Sequence, residues 1–377
     1  MKRIILFLLL VLPFPVFAEE LIPSSKSGIL MEVNSGKILY EKEKDRRLSI
    51  ASMTKMMAQI LILEEIESGK IKWEDVVTVS KNASDMGGSQ IYLEVGEKMT
   101  VRDLMKGISV ASANDATVAM AEYISGTEEK FVERMNQKAK TMGLQNTHFV
   151  NCTGLDEKNH FSSSYDLALI ARELILSHPD IFRFSSIYED YLRQNTDKKF
   201  WLVNTNKLIS QYEGTDGLKT GHTDDAGYCL AATAKRDQLR LIAIVLGETE
   251  SKVRNQETMQ LLDYGFQNTR LKKLKEKGEE IRKMILPKTR PSTAILVLKD
   301  SLNVIEETGK DKEYSFDVKV FPFSLPMKAG TVVGEIHVLD GGKVISSEKL
   351  VLKNDMLKMP LWDFYLQNIR NTALGVF

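Results

Sequence analysis

A hydroxyl and an amine stand three residues apart in the segment Ser52-Met53-Thr54-Lys55. On a helix, this spacing places both side chains on one face, one turn from each other. A serine hydroxyl is a poor nucleophile at neutral pH, so it needs a nearby base that is itself unprotonated. The pair therefore predicts acyl transfer through a covalent serine ester, with Ser52 as the nucleophile and Lys55 as the general base.

The Ser-x-x-Lys pattern is weak evidence by itself, because about two matches are expected by chance in a chain of this length. The sequence contains two. The second, Ser346 and Lys349, lies in strand-like sequence, where side chains three residues apart point to opposite faces. We therefore expect chemistry only at Ser52 and Lys55, which lie at the start of a helical segment.

Two further motifs follow in chain order. Ser112-Ala113-Asn114 comes just after a helical segment, but Ser-x-Asn also occurs at residues 80 and 301 and is common in turns and helix caps. Lys219-Thr220-Gly221 occurs once, against a chance expectation of about 0.1. It leads into strand-like sequence. The ordered set of three motifs, each in a suitable structural context, predicts one active site.

The elements that must position these motifs are indicated by the spacing of apolar residues. Residues 51–65 are apolar on more than one face, which is typical of a buried helix. A hairpin is predicted over residues 28–40 because Asn34-Ser35-Gly36 separates two apolar stretches. The first 268 residues or so are predicted to be an α+β domain. Further helices are predicted at 101–110, 116–124, 128–142 and 165–176, and paired strands at 228–234 and 239–246.

The composition changes after residue 265. Residues 270–283 are rich in Lys, Arg and Glu, and two prolines follow. Beyond them, apolar and polar residues alternate at 314–320 and 332–338, which predicts a small β-rich module. The last residues form an amphipathic helix when drawn at 3.6 residues per turn. The predicted divisions are 19–270, 271–357 and 358–377.

The N-terminus predicts a secretory signal over residues 1–18. Lys2 and Arg3 precede a short apolar run, and small residues ending at Ala18 provide a cleavage site. The run is far shorter than the roughly 20 residues needed to cross a bilayer. We expect a protein of the periplasm or cell envelope. The terminal helix predicts peripheral attachment to the outer face of the inner membrane, with docking on its own domain as the alternative.

Composition argues against several other classes of protein. Lys and Arg total 51, and Asp and Glu total 51, so no global positive field exists to attract nucleic acid. The five histidines show no His-Glu-x-x-His spacing, so neither a metal site nor another cofactor is predicted. The chain has two cysteines, Cys152 and Cys229. Two buried free thiols are favoured over a disulfide, because the sequence alone does not bring them within bridging distance.

Two longer strings connect the chain to a known family. Residues 149–155, Phe-Val-Asn-Cys-Thr-Gly-Leu, and residues 216–223, Asp-Gly-Leu-Lys-Thr-Gly-His-Thr, resemble motifs of the low-molecular-mass penicillin-binding proteins. The chain is similar over nearly its whole length to the D-alanyl-D-alanine carboxypeptidases of this family that carry a C-terminal β domain. The resemblance implies a penicillin-binding-protein/β-lactamase-like domain, in which helices flank both sides of a five-stranded antiparallel sheet.

The resemblance also implies the activity and its partners. The enzyme would remove the terminal D-alanine from peptidoglycan pentapeptide side chains, and β-lactams would acylate it as mimics of these muropeptides. Lys55 must lose its proton near pH 7, which requires disfavouring the ammonium by roughly 4.6 kcal/mol. Burial, the helix N-terminus and a nearby Lys219 would act in that direction. Ser112 would relay a proton to the leaving amine, and Asn114 would hold the substrate backbone.

The remaining implied roles concern substrate binding. Lys219 would supply a fixed positive charge, and Thr220 would donate a hydrogen bond to the substrate carboxylate. Gly221 would let a peptide lie against the strand edge without a Cβ in the way. The backbone N–H of His222 would join that of the serine nucleophile in an oxyanion hole. Arg254 matches the position of an arginine that binds the terminal carboxylate.

Three other functions remain open at this point. A class A-like β-lactamase shares the three motifs, but it uses a glutamate in a Glu-x-x-Leu-Asn string, which is not found between Leu155 and Lys219. Slow turnover of penicillin is therefore expected. A transpeptidase is less favoured because no large domain precedes the motifs. A binding or scaffolding module with vestigial catalytic groups is disfavoured by the three intact motifs.

Overall fold

The structure, a computed structural model, describes residues 20–373. The predicted signal segment and residues 374–377 lie outside the described residues. The strands of the first part are β1 (Ser27–Glu32), β2 (Ile38–Lys42), β3 (Val76–Thr78), β4 (Lys98–Thr100), β5 (Glu189–Leu192), β6 (Phe200–Val203), β7 (Thr215–Thr223), β8 (Gly227–Arg236) and β9 (Leu239–Glu248). Its helices are α1 (Lys55–Glu67), α2 (Lys81–Ser84), α3 (Val101–Val110), α4 (Asn114–Ser125), α5 (Glu128–Thr141), α6 (Ser164–Ser177), α7 (Phe182–Ser185), α8 (Leu208–Gln211) and α9 (Ser251–Asn268), with 3₁₀ turns at Ala51–Thr54 and Pro179–Ile181.

A five-stranded antiparallel sheet forms the centre of this part, with strand order β2-β1-β9-β8-β7. The predicted hairpin over residues 28–40 is β1 and β2, and the two predicted paired strands are β8 and β9. β1 lies between β2 and β9, so it pairs with residues more than 200 positions away in the chain. β7, which carries the Lys-Thr-Gly motif, lies at one edge of the sheet.

Helices cover both faces of the sheet. Side chains alternate along β9, with Ile242 and Ile244 in the core shared with α1, α4 and α6, and Leu241 and Ala243 in the core shared with α9. A strand that is apolar on both sides needs a helical layer on each face. The structure thus confirms the expected α+β class and the five-stranded sheet with its flanking helices.

The predicted helices are present, with small differences at their ends. α3 has the predicted bounds, whereas α4 begins at Asn114, two residues earlier than predicted. Side-chain caps begin three of these helices: the hydroxyls of Thr100, Thr127 and Ser163 each accept a backbone N–H from the first turn. α1 is buried on nearly all sides because it lies between the sheet and the surrounding helices.

The second part of the chain is rich in β-structure, as predicted. A five-stranded sheet has the order β11-β13-β17-β16-β15, and β10-β14 and β12-β18 form two-stranded pairs. Its strands are β10 (Thr269–Lys275), β11 (Glu280–Ile285), β12 (Thr289–Arg290), β13 (Thr293–Leu298), β14 (Leu302–Glu307), β15 (Ser315–Val320), β16 (Val332–Asp340), β17 (Lys343–Leu352) and β18 (Leu357–Lys358). The second Ser-x-x-Lys match lies on β17, in a strand as predicted. The proposed division at residue 270 stays a prediction and falls within β10.

Helix α10 (Leu361–Ala373) follows the β-rich part. Its side chains Asp363 and Phe364 face that part, through an ion pair between Asp363 and Arg290 at 2.8 Å and a contact of Lys288 with the Phe364 ring. The apolar side chains on its other side are exposed: Leu361, Trp362, Tyr365, Leu366 and Ile369. They do not dock on the β-rich part. None of the helices in residues 20–373 is long and apolar enough to cross a membrane.

Cys152 and Cys229 are both buried, and each is a free thiol, as the sequence favours. Burial raises the pKa of Cys152, and it raises the pKa of Cys229 to about 11, so both thiols are protonated and unreactive at neutral pH. Across the described part of the chain, no group of three His, Cys, Asp or Glu side chains is arranged to hold a metal ion.

Candidate active site

The nucleophile candidate Ser52 lies in the 3₁₀ turn Ala51–Thr54, and α1 begins at Lys55. The sequence placed Ser52 at the opening of the helix itself, so the structure moves it one turn earlier. The spacing argument still holds, because Lys55 Nζ lies 2.8 Å from Ser52 Oγ. Ser52 is partly exposed while Lys55 is fully buried, so the hydroxyl faces solvent and the amine approaches it from the protein interior.

Three oxygen atoms surround the Lys55 amine. Besides Ser52 Oγ, they are Asn114 Oδ1 at 2.6 Å and the Thr153 carbonyl at 2.7 Å. The Asn114 amide is oriented by its Nδ2, which donates to the Gly87 carbonyl at 2.7 Å. Both Asn114 Oδ1 and the Thr153 carbonyl only accept hydrogen bonds. A neutral amine has two N–H groups for these acceptors, which leaves its lone pair directed at the Ser52 hydroxyl.

The neutral form of Lys55 is favoured by its surroundings. Burial lowers the pKa of Lys55 to about 7, and the charge of Asp115 acts in the opposite direction. Asp115 is itself buried and accepts hydrogen bonds from the backbone N–H groups of Ile91 and Leu93. Lys55 belongs to the first turn of α1, but its side chain is completely buried and does not reach solvent.

A second buried lysine, Lys219, lies close to Lys55. Burial, and then the charges of Lys55 and Arg254, hold the pKa of Lys219 well below its usual value. Its Nζ donates to the Thr220 carbonyl at 2.8 Å. Lys219 is therefore close enough to Lys55 for the two charges to disfavour each other.

Arg254 is the third buried basic side chain of this group. Burial lowers the pKa of Arg254. Within residues 20–373, its guanidinium donates to neutral oxygens only, which are Asn255 Oδ1 and the carbonyl of Cys229. Neither Lys219 nor Arg254 forms an ion pair with any of the described residues. Buried cations without a counter-ion are costly, so this arrangement favours an incoming anion.

The structure gives a reason for a glycine at position 221 that the sequence did not predict. Lys219 and Gly221 have the same parity on β7, so both face the turn that carries Ser52. A Cβ on Gly221 would lie 2.8 Å from the Ile50 carbonyl oxygen and 3.1 Å from the Ala51 Cβ. The glycine is therefore required for the close packing of β7 against this turn. The expectation that its missing Cβ makes room for substrate stays a prediction.

Thr220 and His222 lie on the same strand. The Thr220 hydroxyl donates to the Thr205 hydroxyl at 2.7 Å, so its proton would have to turn away from Thr205 to reach a carboxylate. The His222 side chain is exposed and stacks on Tyr228, with ring centroids 4.0 Å apart. The predicted contacts of Thr220 with a carboxylate, and of the His222 N–H with an oxyanion, stay predictions.

Ser112 lies in the short connection between α3 and α4, with φ of 61°. It is buried except for a small surface, and its hydroxyl has no hydrogen-bond partner among the described residues. Asn114 has both ends of its amide in use, by Lys55 and by Gly87. Its structural role is thus to hold the amine of Lys55, and the predicted contact with the substrate backbone stays a prediction.

The sequence interpretation assigned no role to Thr153, although its carbonyl is a direct partner of Lys55. Asn151 Oδ1 accepts the N–H groups of Thr153 and Gly154, which turns the chain tightly here. Gly154 has φ of 86°, a conformation that favours glycine. The sequence did contain a signal for this turn, because the string at residues 149–155 includes Asn151, Thr153 and Gly154.

Comparison with known proteins agrees with this geometry. Residues 17–250 match the peptidase S11 family, described as D-alanyl-D-alanine carboxypeptidase, and residues 270–358 match the C-terminal domain of penicillin-binding protein 5. The chain belongs to the peptidase S11 family. Among its relatives, the D-alanyl-D-alanine carboxypeptidase DacF of Bacillus subtilis is 45% identical over 342 residues, covering 90% of this chain and 88% of that protein.

Solved structures of S11 relatives have the same fold. Penicillin-binding protein 5 of Haemophilus influenzae has a TM-score of 0.71 at 33% identity, covering 89% of this chain and 98% of that one. Penicillin-binding protein D2 of Listeria monocytogenes, solved in an ampicillin-bound form, has a TM-score of 0.58 at 33% identity, covering 64% of this chain and 98% of that one. These likenesses favour a carboxypeptidase over a class A-like β-lactamase.

Proposed function

We propose that this chain is a serine D-alanyl-D-alanine carboxypeptidase that removes the terminal D-alanine from peptidoglycan pentapeptide side chains. The observation that carries the proposal is the Lys55 amine, whose two acceptor-only partners leave its lone pair facing Ser52 Oγ at 2.8 Å. Family membership supplies the substrate class. The cations Lys219 and Arg254 support it, because the substrate ends in a free carboxylate.

In the acylation step, Ser52 Oγ attacks the carbonyl carbon of the penultimate D-alanine while Lys55 takes the hydroxyl proton. The negative charge that develops on the carbonyl oxygen is stabilised by the backbone N–H groups of Ser52 and His222. The tetrahedral intermediate then breaks the C–N bond. The leaving amine of D-alanine receives the proton from Lys55, relayed by the Ser112 hydroxyl, and an ester on Ser52 remains.

In the deacylation step, water attacks the ester carbonyl and Lys55 accepts a proton from it. The same N–H groups stabilise the second tetrahedral intermediate. Its collapse releases the shortened peptide as a carboxylic acid and returns a proton to Ser52 Oγ. One water is consumed, and one D-alanine and one shortened peptide are formed.

Substrate binding is proposed to use the open edge of β7. An edge strand has unpaired N–H and C=O groups that an extended peptide can pair with. The peptide carboxylate would then lie against Lys219 and Arg254, with the Thr220 hydroxyl as a further donor. A β-lactam resembles this substrate, and the Listeria relative has been solved with ampicillin bound.

The first test is intact-mass analysis of the full chain with benzylpenicillin. We expect a gain of one penicillin per chain, located on Ser52 by peptide mapping and persisting for minutes. The Ser52→Ala variant should gain no mass and should release no D-alanine from a D-Ala-D-Ala peptide. Equal D-alanine release by wild type and Ser52→Ala would refute the proposal, and rapid loss of the adduct with ring opening would favour a β-lactamase.

We also propose that the protein works outside the cytoplasmic membrane, attached peripherally to the outer face of the inner membrane. The sequence of residues 1–18 supports export. The exposed apolar side chains of α10, which include Trp362 and Tyr365, support attachment in the plane of the membrane interface. Muropeptides of the cell wall are accessible from that position.

A further inference from the structure

A chain of hydrogen bonds connects a buried histidine to the turn that carries Ser52. Within the turn, the Thr54 hydroxyl donates to the Ala51 carbonyl at 2.8 Å. On its other side, Thr54 Oγ1 lies 2.7 Å from His160 Nε2. The second ring nitrogen, His160 Nδ1, accepts the backbone N–H of Val150 at 3.1 Å. The exposed fraction of His160 is 5%, so the chain is shielded from water.

The partners determine where each proton lies. Because His160 Nδ1 accepts a hydrogen bond from Val150, the proton of the neutral ring is on Nε2. Nε2 therefore donates to the Thr54 hydroxyl, whose own proton is directed to the Ala51 carbonyl. Burial, and then repulsion from His148, lowers the pKa of His160 to about 4, so the neutral ring is the form present at physiological pH.

The Ala51 carbonyl and the Ser52 N–H belong to one peptide unit. Because a trans peptide is planar, these two groups point in opposite directions, and a bond that fixes the carbonyl also fixes the N–H. In residues 20–373, no acceptor is bonded to the Ser52 N–H, so it is free for a substrate oxygen. Ala51 has φ of 47°, a conformation that is unfavourable for a residue with a Cβ and needs support from neighbouring groups.

We propose that His160 is a positioning residue that acts through Thr54 to aim the backbone N–H of Ser52 into the oxyanion hole. A hydrogen bond accepted by the Ala51 carbonyl also polarises the peptide and strengthens its N–H as a donor. Gly154 packs on the same carbonyl, where a Cβ would lie 1.9 Å from the oxygen. The inference rests on the proposed carboxypeptidase function and adds two residues to its machinery.

The first test compares two substitutions of Thr54. Thr54→Val keeps the shape of the side chain and removes the hydroxyl, whereas Thr54→Ser keeps the hydroxyl. We expect Thr54→Val to lower both kcat and kcat/KM for D-alanine release about 10- to 100-fold, because the hole stabilises formation and breakdown of the acyl-enzyme alike. KM should stay within about twofold, and Thr54→Ser should retain activity within about threefold of wild type.

The second test compares two substitutions of His160. The amide nitrogen of Gln can reach the position of Nε2, whereas the shorter Asn reaches only that of Nδ1. His160→Gln should therefore keep most of the activity, while His160→Asn should lose about as much as Thr54→Val. The double variant Thr54→Val/His160→Asn should be no slower than the slower single variant, because both substitutions break the same series of hydrogen bonds.

A matched control separates positioning from a loss of stability. His178 is buried to a similar extent in the same domain, but its Nδ1 contacts Glu67, away from the Ser52 turn. His178→Asn should lower the melting temperature with kcat unchanged. The proposal is overturned if Thr54→Val keeps kcat within twofold of wild type, or if His178→Asn lowers kcat as much as His160→Asn does. Failure of the Ser52→Ala test would instead refute the proposed function.

Discussion

The amine of Lys55 lies 2.8 Å from the hydroxyl of Ser52 and approaches it from the buried side. The two other partners of this amine, Asn114 Oδ1 and the Thr153 carbonyl, come from segments that are distant in sequence. Together they hold a lysine that is neutral near pH 7 and directed at its target. The reactivity of Ser52 therefore depends on how three separate segments pack.

This arrangement predicts the pH dependence of catalysis. Lys55 acts as a base only when it is unprotonated, and burial lowers its pKa to about 7. Below pH 7, kcat/KM should therefore fall about tenfold per pH unit, and it should level off above pH 7. The substrate carboxylate ionises far below this range and does not interfere. The measurement is D-alanine release between pH 5 and 9, and a flat profile across that range would contradict the assignment.

The variant Lys55→Arg tests the same point independently. An arginine has the charge of a protonated lysine, but it does not lose its proton in this pH range. We expect acylation by benzylpenicillin to slow by at least about 10³-fold. Acylation at a tenth of the wild-type rate or faster would show that a group other than Lys55 removes the Ser52 proton.

Gly154→Ala should be destabilising because the new Cβ would lie 1.9 Å from the Ala51 carbonyl oxygen. The steric overlap and the positive φ together predict a loss of about 3 kcal/mol in the free energy of unfolding. Gly126→Ala is a matched control, since Gly126 has φ of 83° and open space around its Cβ position. It should lose only about 1 kcal/mol. Denaturant unfolding measures both, and equal losses would argue against the close contact.

Arg254→Met should reduce the preference for a free substrate carboxylate. The wild-type enzyme should cleave a peptide with a free carboxylate much faster than the same peptide with a C-terminal amide. The ratio of the two kcat/KM values, acid over amide, should fall about tenfold or more in Arg254→Met. Arg240→Met is the control, because the Arg240 guanidinium is already paired with the Asp216 carboxylate. A ratio unchanged in Arg254→Met would remove Arg254 from the carboxylate site.

Glu248 and Glu257 form a buried carboxyl pair that holds the N-terminal segment through Ser25. Burial, and then contact with Glu257, raises the pKa of Glu248 to about 6. A raised carboxyl pKa contributes stability that is fully present below about pH 4.5 and is lost as the pH rises through 6. Glu248→Gln mimics the protonated form. Its melting temperature should therefore exceed that of wild type by about 3 °C at pH 8 but not at pH 4.5, and an equal difference at both pH values would contradict this.

Deletion of residues 361–377 tests the proposed membrane attachment. The exposed apolar side chains of α10, which include Trp362 and Tyr365, should hold the protein at the membrane surface. The truncated protein should move from the membrane to the soluble fraction and keep its activity, because Asp363 and Phe364 of α10 contact Arg290 and Lys288 of the β-rich part rather than the Ser52 turn. Unchanged fractionation would argue against α10 as the attachment.

The sequence alone determined the local features of this protein. The separation of Ser52 and Lys55 predicts one helical turn between them, and alternation along the strands predicts their faces, because both properties depend on near neighbours in the chain. The motifs also identified Ser112 and Lys219, and the family resemblance implied Arg254. The structure places Lys219 and Arg254 close enough for their charges to interact.

Only the tertiary structure decided which distant groups contact these residues. Three contacts join segments that lie about 100 or more residues apart. They are the hydrogen bond of Lys55 to the Thr153 carbonyl, the packing of Gly221 on the Ser52 turn and the hydrogen bond of His160 to Thr54. Such contacts depend on how helices and strands pack around a shared core, and residue spacing carries no information about that packing. The chemistry of Ser52 is thus encoded locally, while its geometry is set by the fold.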